Sequence, residues 1–160
     1  SHGHSDHGGG LTEFLHYNKK AMVYIQEEAF LHHFSKRANG EMNPLGIEKT
    51  LQNHPQVVLL KGNHIINERI SLLSVVKKRE DLPPGNETLY IEKEGEIQPD
   101  DFQHAQHLVV REWHKKILSS GCGHQVILNI LSAGVWPMIA FVSAGLASPS
   151  RSRHHEHSQV

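Results

Sequence analysis

The run Ser1-His2-Gly3-His4-Ser5-Asp6-His7-Gly8-Gly9-Gly10 constrains this chain more than any other segment. Its three closing glycines exclude a helix interior, since glycine costs roughly 1 kcal/mol per position there. In an extended backbone alternate side chains share a face, so His2, His4 and Asp6 project together. His7 breaks the alternation and needs a turn to join them, which the glycines permit. Imidazole nitrogens and a carboxylate are donors that Zn²⁺, Fe or Mn²⁺ accept. These donors exceed what one tetrahedral ion needs if it also binds a water. Two ions roughly 3.5–4 Å apart would use them better. A histidine string can also be an affinity tag or a solvated tail, as Arg153-His154-His155-Glu156-His157 illustrates. A tag does not continue into Asp-His-Gly-Gly and a periodic helix, so metal binding is the expected role.

The 160 residues suit one domain with a real core. Sixteen Lys plus Arg against seventeen Asp plus Glu leave a net charge of −1, which gives no bulk-charge argument for nucleic acid or an anionic membrane. The expected partner is a small-molecule substrate, with no nucleic acid; oligomeric state is left open. The single cysteine, Cys122, excludes an internal disulfide framework and a cysteine-based zinc cluster. No N-terminal segment reads as a signal peptide, and the expected location is cytoplasmic. Without an initiating Met, the chain is expected to be processed, excised or truncated.

Leu11, Phe14 and Leu15 fall at helical spacing, which predicts a helix over 11–20. A short strand is expected at 21–25, a helical stretch at 26–34, and a loop with one helical turn over 35–56. Strands are expected at 57–60 and 65–76, and a Pro-Pro-Gly turn at 81–86. A hairpin over 88–97 turns at Glu94-Gly95. Strands at 108–113 and 117–120 precede a tight turn at 121–123, a helix at 125–131 and a strand at 138–142. Residues 148–160 are Ser-, Arg- and His-rich and are expected to be disordered.

Residues His2-Gly3-His4-Ser5-Asp6-His7-Gly8-Gly9 resemble the signature of the metallo-β-lactamase fold superfamily. Residues 100–108 and Ser120-Gly121-Cys122-Gly123-His124, with Asn129 and Ile130 following, are similar to one branch. That branch includes the dihydropterin-linked aminobenzene ribofuranosyl phosphate synthases of methanopterin biosynthesis. The resemblance runs from Ser1 to about Ile130. It implies an α/β fold, an αββα sandwich of which this chain holds the central and later part over 1–147. It further implies that His2, His4 and His124 hold one metal, and that Asp6 and His7 help hold a second. Water activated between the ions would be the nucleophile, oriented by a catalytic Asp6 that also moves a proton. The implied activity is metal-dependent hydrolysis of an ester or phosphoryl substrate. Cys122 would support the turn that carries His124.

The chain departs from the pattern in several places. No Asp follows Asp101, so the family's later Asp ligand has no counterpart. Ala147 stands where a late His is usual, Val126 replaces a usual glycine, and Gly123 a usual serine. The strands that normally precede the first motif are missing. The second metal site is therefore expected to be incomplete, and an inactive metal-binding remnant is the competing reading. His154, His155 or His157 would substitute only by folding back. A third reading takes the uncharged stretch 126–147 as a single membrane span with a His-rich arm. Asn129, Gly134 and Pro137 interrupt that stretch and favour a helix followed by a strand. Glu27, Glu28, His32 and His33 are read as surface residues, and Lys77-Lys78-Arg79 as a solvated turn. His16, His54, His64, His104, His107 and His114 lack ligand spacing and are read as non-ligands, with His107 nearest the implied site.

Overall fold

The structure is a computed structural model that describes residues 1–77 and 80–133. It is a mixed α/β arrangement in which short helical turns alternate with strands. Two helices open the chain, α1 (Ser5–Gly8) and α2 (Leu11–Tyr17). The strands are β1 (Val23–Gln26), β2 (His33–Lys36), β3 (Met42–Pro44), β4 (Val57–Leu60), β5 (His64–Ile65) and β6 (Ile70–Leu73). After them come β7 (Leu89–Lys93), β8 (Glu96–Pro99), β9 (His107–Glu112), β10 (Lys115–Ser119) and helix α3 (Ile127–Ser132). Strands β1 and β4 pair in parallel, while the orders β3-β2-β7-β8 and β10-β9-β6-β5 form two four-stranded antiparallel sheets.

Local signals set several of these elements. At Glu94-Gly95 both residues take positive φ, 55° and 83°, the twist that a two-residue hairpin between right-twisted strands requires. Trp113 makes the equivalent turn between β9 and β10 at φ 55°. Elsewhere tertiary pairing overrides the local pattern. The helix expected at 26–34 is only a 3-10 turn over Glu27–Phe30, because the chain extends at Leu31 and pairs as β2 with β7. The loop expected over 35–56 holds the β2–β3 hairpin and a 3-10 turn at Lys49–Asn53. The strand expected over 65–76 folds back on itself as β5 and β6. Asn67 closes that turn, its side-chain oxygen accepting from the Arg69 and Ile70 amides. The strand expected at 138–142, the 143–147 stretch, the domain limit at 147 and the 148–160 tail lie outside the described residues. Among the described residues no helix is long and apolar enough to cross a membrane.

Two apolar clusters fix the frame. Leu73, Leu118 and Ile130 join β6, β10 and α3. Leu89, Phe102 and Ala105 close the space beneath the 100–105 loop. Between them the 120–126 turn is clamped to the start of β9. His107 is 2% exposed and contacts Ser120 Oγ at 2.9 Å and Gln125 Oε1 at 2.9 Å. The Gln125 amide in turn donates to the Phe102 carbonyl at 2.9 Å. Burial pushes the His107 imidazole down to about 4, against the hydrogen bond to Gln125, so the ring is neutral at pH 7. The turn ends at Val126, a β-branched residue at φ 63° and ψ 127°. That region is suited to glycine and costs other residues of order 1–3 kcal/mol.

Two outcomes follow for this turn. Val126→Gly should stabilise the protein by about 1 kcal/mol, strain relief exceeding glycine's entropic cost, and so raise Tm by a few degrees. Val126→Ala keeps a Cβ and should melt below the glycine variant; a glycine variant melting below wild type would contradict the strain. For His107, the unfolded chain takes up a proton below pH 6.5 while the folded chain resists until about pH 4. Stability is therefore complete above pH 6.5 and falls as pH drops to 4. The loss is on the order of 3 kcal/mol, at about 1.4 kcal/mol per pH unit. Urea melts across that window should show the slope for wild type and a shallower one for His107→Gln; equal slopes would contradict it.

Candidate metal centre

The opening segment enters extended, and Gly3 is the reason it fits. A Cβ there would lie 2.6 Å from the Ala29 carbonyl oxygen and 2.7 Å from the Ala29 Cα. His4 remains extended, and its carbonyl accepts from the His7 and Gly8 amides as α1 begins. That single turn, anchored by the Ser5 amide on the Leu45 carbonyl at 2.7 Å, brings His7 back toward His2. From the far end of the chain the 120–126 turn delivers His124.

The five residues singled out in the sequence meet here. The His2 ring lies 4.4 Å from His4, 4.5 Å from His7 and 4.7 Å from His124, centroid to centroid. His4 and His124 are 5.6 Å apart. One donor atom each from His2, His4 and Asp6 fall within 4.8 Å of one another, as do donors from His2, Cys122 and His124. His2 and His4 are buried, His124 is half-buried, and the Asp6 carboxylate stands exposed at the rim, 3.5 Å from His7 Nε2.

Burial and crowding disfavour protonation of His2 and His124. Burial, then the rings of His4, His124, His104 and His7, push His2 far below the ordinary histidine range. Burial and the neighbouring His4 push His124 down to about 4. Among the described residues, the buried His2 Nε2 has no hydrogen-bond partner. An orphaned buried nitrogen amid neighbouring imidazoles is costly in a dry site and becomes satisfied when a cation shares its lone pair. The donor set thus fits a transition-metal ion. Burial raises the Cys122 thiol, which keeps it protonated in the metal-free chain.

Beneath these residues lies a second group that the sequence reading left aside. Asp100, with a fully buried side chain, faces three imidazoles: His4 Nε2 at 3.2 Å, His33 Nδ1 at 3.3 Å and His104 Nε2 at 3.0 Å. Burial pushes the Asp100 carboxyl up, but hydrogen bonds from His104, His33 and His4 outweigh it and hold the group well below the usual carboxylate range. His33, expected at the surface, is 1% exposed and also reaches the Glu28 carbonyl. Its neighbours match the expectation better: His32 is exposed, and Glu27 and Glu28 are partly so. Period-2 alternation in β2 would have placed His33 and His32 on opposite faces, but the helical reading of 26–34 hid that signal. His104 accepts from the Gly3 amide at 2.8 Å and so pins the backbone between His2 and His4. His124 stacks on Phe102 at 4.6 Å with a 6° interplanar angle. Its Nδ1 meets Asn86 Oδ1 at 2.7 Å.

A cavity of about 220 Å³ opens beside His2, His7 and His104, walled by Leu11, Phe14 and Ile25. A groove of about 610 Å³ over β6 and β9 contains none of the clustered imidazoles.

No family model matches the chain, and no curated protein matches it. Among solved structures it is similar to a crystal structure described as a metal-dependent hydrolase of the beta-lactamase superfamily, with a TM-score of 0.63 and 27% identity. The likeness covers 82% of this chain and 48% of that one, so the chain spans about half the length of its structural neighbour. The fold accordingly matches part of a metallo-β-lactamase fold, and the clustered histidines sit within it.

Proposed function

We propose that this chain is the metal-binding part of a hydrolase of the metallo-β-lactamase type, acting on an ester or phosphoryl bond. The observation that carries the reading is the buried His2 Nε2, without a partner among the described residues and set among the rings of His4, His7 and His124. His2, His4 and His124 would hold a first ion, with Asp6 and His7 contributing to a second. Zn²⁺ suits the nitrogen-rich first set best, with Fe or Mn²⁺ as alternatives. A divalent ion supplies a Lewis acid that activates water near neutral pH and polarises the scissile group.

The protein's own residues do the rest. His2 and His7 present their rings to the 220 Å³ cavity, where Leu11, Phe14 and Ile25 exclude water from one side of a small substrate. Asp6, exposed and beside His7, orients the attacking water and passes its proton to solvent or to the leaving group. The finer resemblance to the dihydropterin-linked phosphate synthases makes a phosphorylated small molecule the first substrate class to try. A cytoplasmic location and the absence of a nucleic-acid partner belong to the same reading.

One observation favours a second reading, an inactive one-ion remnant. Among the described residues no triad joins Asp6 with His7. Metal analysis with turnover assays separates the two. The hydrolase reading expects zinc uptake approaching two equivalents and hydrolysis of a generic phosphodiester or lactone, abolished by chelator and restored by zinc. Asp6→Asn should retain the first equivalent and lose 10²–10⁴-fold in turnover, the range for a general acid–base group. One equivalent without turnover supports the remnant, and no uptake at all overturns both.

A further inference from the structure

Two hydrogen-bonded pairs determine which nitrogen of His4 and of His124 is free. The first involves Asn86, which is 8% exposed. Its Nδ2 donates to the His124 carbonyl at 2.9 Å, and a carbonyl can only accept. This fixes the amide orientation, so Asn86 Oδ1 is the atom that faces His124 Nδ1 at 2.7 Å. An amide oxygen can only accept, so the proton of the neutral ring resides on His124 Nδ1. The lone pair is then on Nε2.

The second pair involves Asp100. Its carboxylate is acceptor-only, and it meets His4 through Nε2 at 3.2 Å. His4 therefore carries a proton on Nε2, which leaves Nδ1 as the nitrogen able to offer a lone pair, the opposite arrangement from His124. The carboxylate cannot swing away to release the ring. It is held by the Phe102 amide at 2.8 Å, by His33 Nδ1 at 3.3 Å and by His104 Nε2 at 3.0 Å. His104 must donate there, because its Nδ1 already accepts from the Gly3 amide. Asp100 therefore fixes a side chain, His4, and through His104 the backbone one residue before it.

We propose that Asp100 and Asn86 are positioning residues that lock His4 and His124 in opposite tautomers, leaving His4 Nδ1 and His124 Nε2 as the donors for the ion. The assignment rests on the metal-binding reading above for its purpose, but the tautomers themselves are properties of the metal-free chain. Buried partners that orient ligating imidazoles typically change metal affinity 10–100-fold when removed.

The test begins with the metal-free wild-type protein, labelled with ¹⁵N and observed through long-range proton–nitrogen couplings of its imidazole rings. His4→Gln and His124→Gln assign the two signals by their disappearance. The expected spectrum shows His4 protonated at Nε2 and His124 at Nδ1; the reverse forms, or a rapidly exchanging mixture at either ring, would overturn the proposal. Zinc affinity is then measured by chelator competition for wild type, Asn86→Ala and Asp100→Asn, with circular dichroism as the check on folding. Binding weakened 10–100-fold in folded Asn86→Ala, with its His124 tautomer randomised, is the expected result. Unchanged affinity in both variants would overturn the positioning role while leaving the metal reading intact. If Asp100→Asn does not fold, Asn86→Ala and the wild-type spectrum still decide. A wild-type chain with the expected tautomers but no zinc uptake would sink the metal reading alone.

Discussion

The buried carboxylate of Asp100 is the interaction on which the centre depends. An ionised carboxyl in a dry interior is costly unless several donors surround it. Here three imidazoles and one backbone amide do so, drawn from residues 4, 33, 102 and 104. The opening segment, the start of β2 and the loop before β9 therefore converge on one group. Removing that group would leave ring N–H groups buried without acceptors, and the extended entry of residues 1–4 would lose its anchor.

Above this layer the chemistry reverses. His2, His4, His7 and His124 crowd together with lone pairs and little to receive them. Burial and mutual repulsion disfavour protonation of His2 and His124, so a metal cation rather than a proton is what such a cluster favours. A donor-poor upper layer resting on an acceptor-centred lower layer is how proteins commonly arrange ligands and the groups that orient them. The turn over residues 120–126 is the remaining support, tied down by His107, Gln125 and Phe102 and strained at Val126.

Much of the upper layer was legible in the sequence. His2, His4, Asp6 and His7 lie close in the chain, so a short extended run ending in one turn is enough to bring them together. The hairpin at Glu94-Gly95 and the strand at Val57–Leu60 were legible for the same reason, because turn chemistry and apolar runs act locally. His124 was implied only by the resemblance of its Ser-Gly-Cys-Gly-His setting to the metallo-β-lactamase superfamily, not by any spacing rule. The lower layer was not legible. Asp100 meets His4 and His33 across 96 and 67 residues of chain, and no local pattern encodes such a meeting. His33 was also masked by the helical look of Gln26 to Phe34, where pairing with β7 outweighs propensity. Asn86 lay in a Pro-Pro-Gly turn to which the sequence assigned no role, yet its side chain reaches inward to His124.

On the reading proposed above, nitrogen atoms from residues 2, 4 and 124 would enclose one ion. Crystals of the zinc-loaded protein, measured at the zinc absorption edge, test this most directly. The account predicts an anomalous peak about 2.0–2.1 Å from His2 Nε2, His4 Nδ1 and His124 Nε2. A peak elsewhere, such as on the histidines near residue 155, or no peak in a crystal that analysis shows to contain zinc, would contradict it.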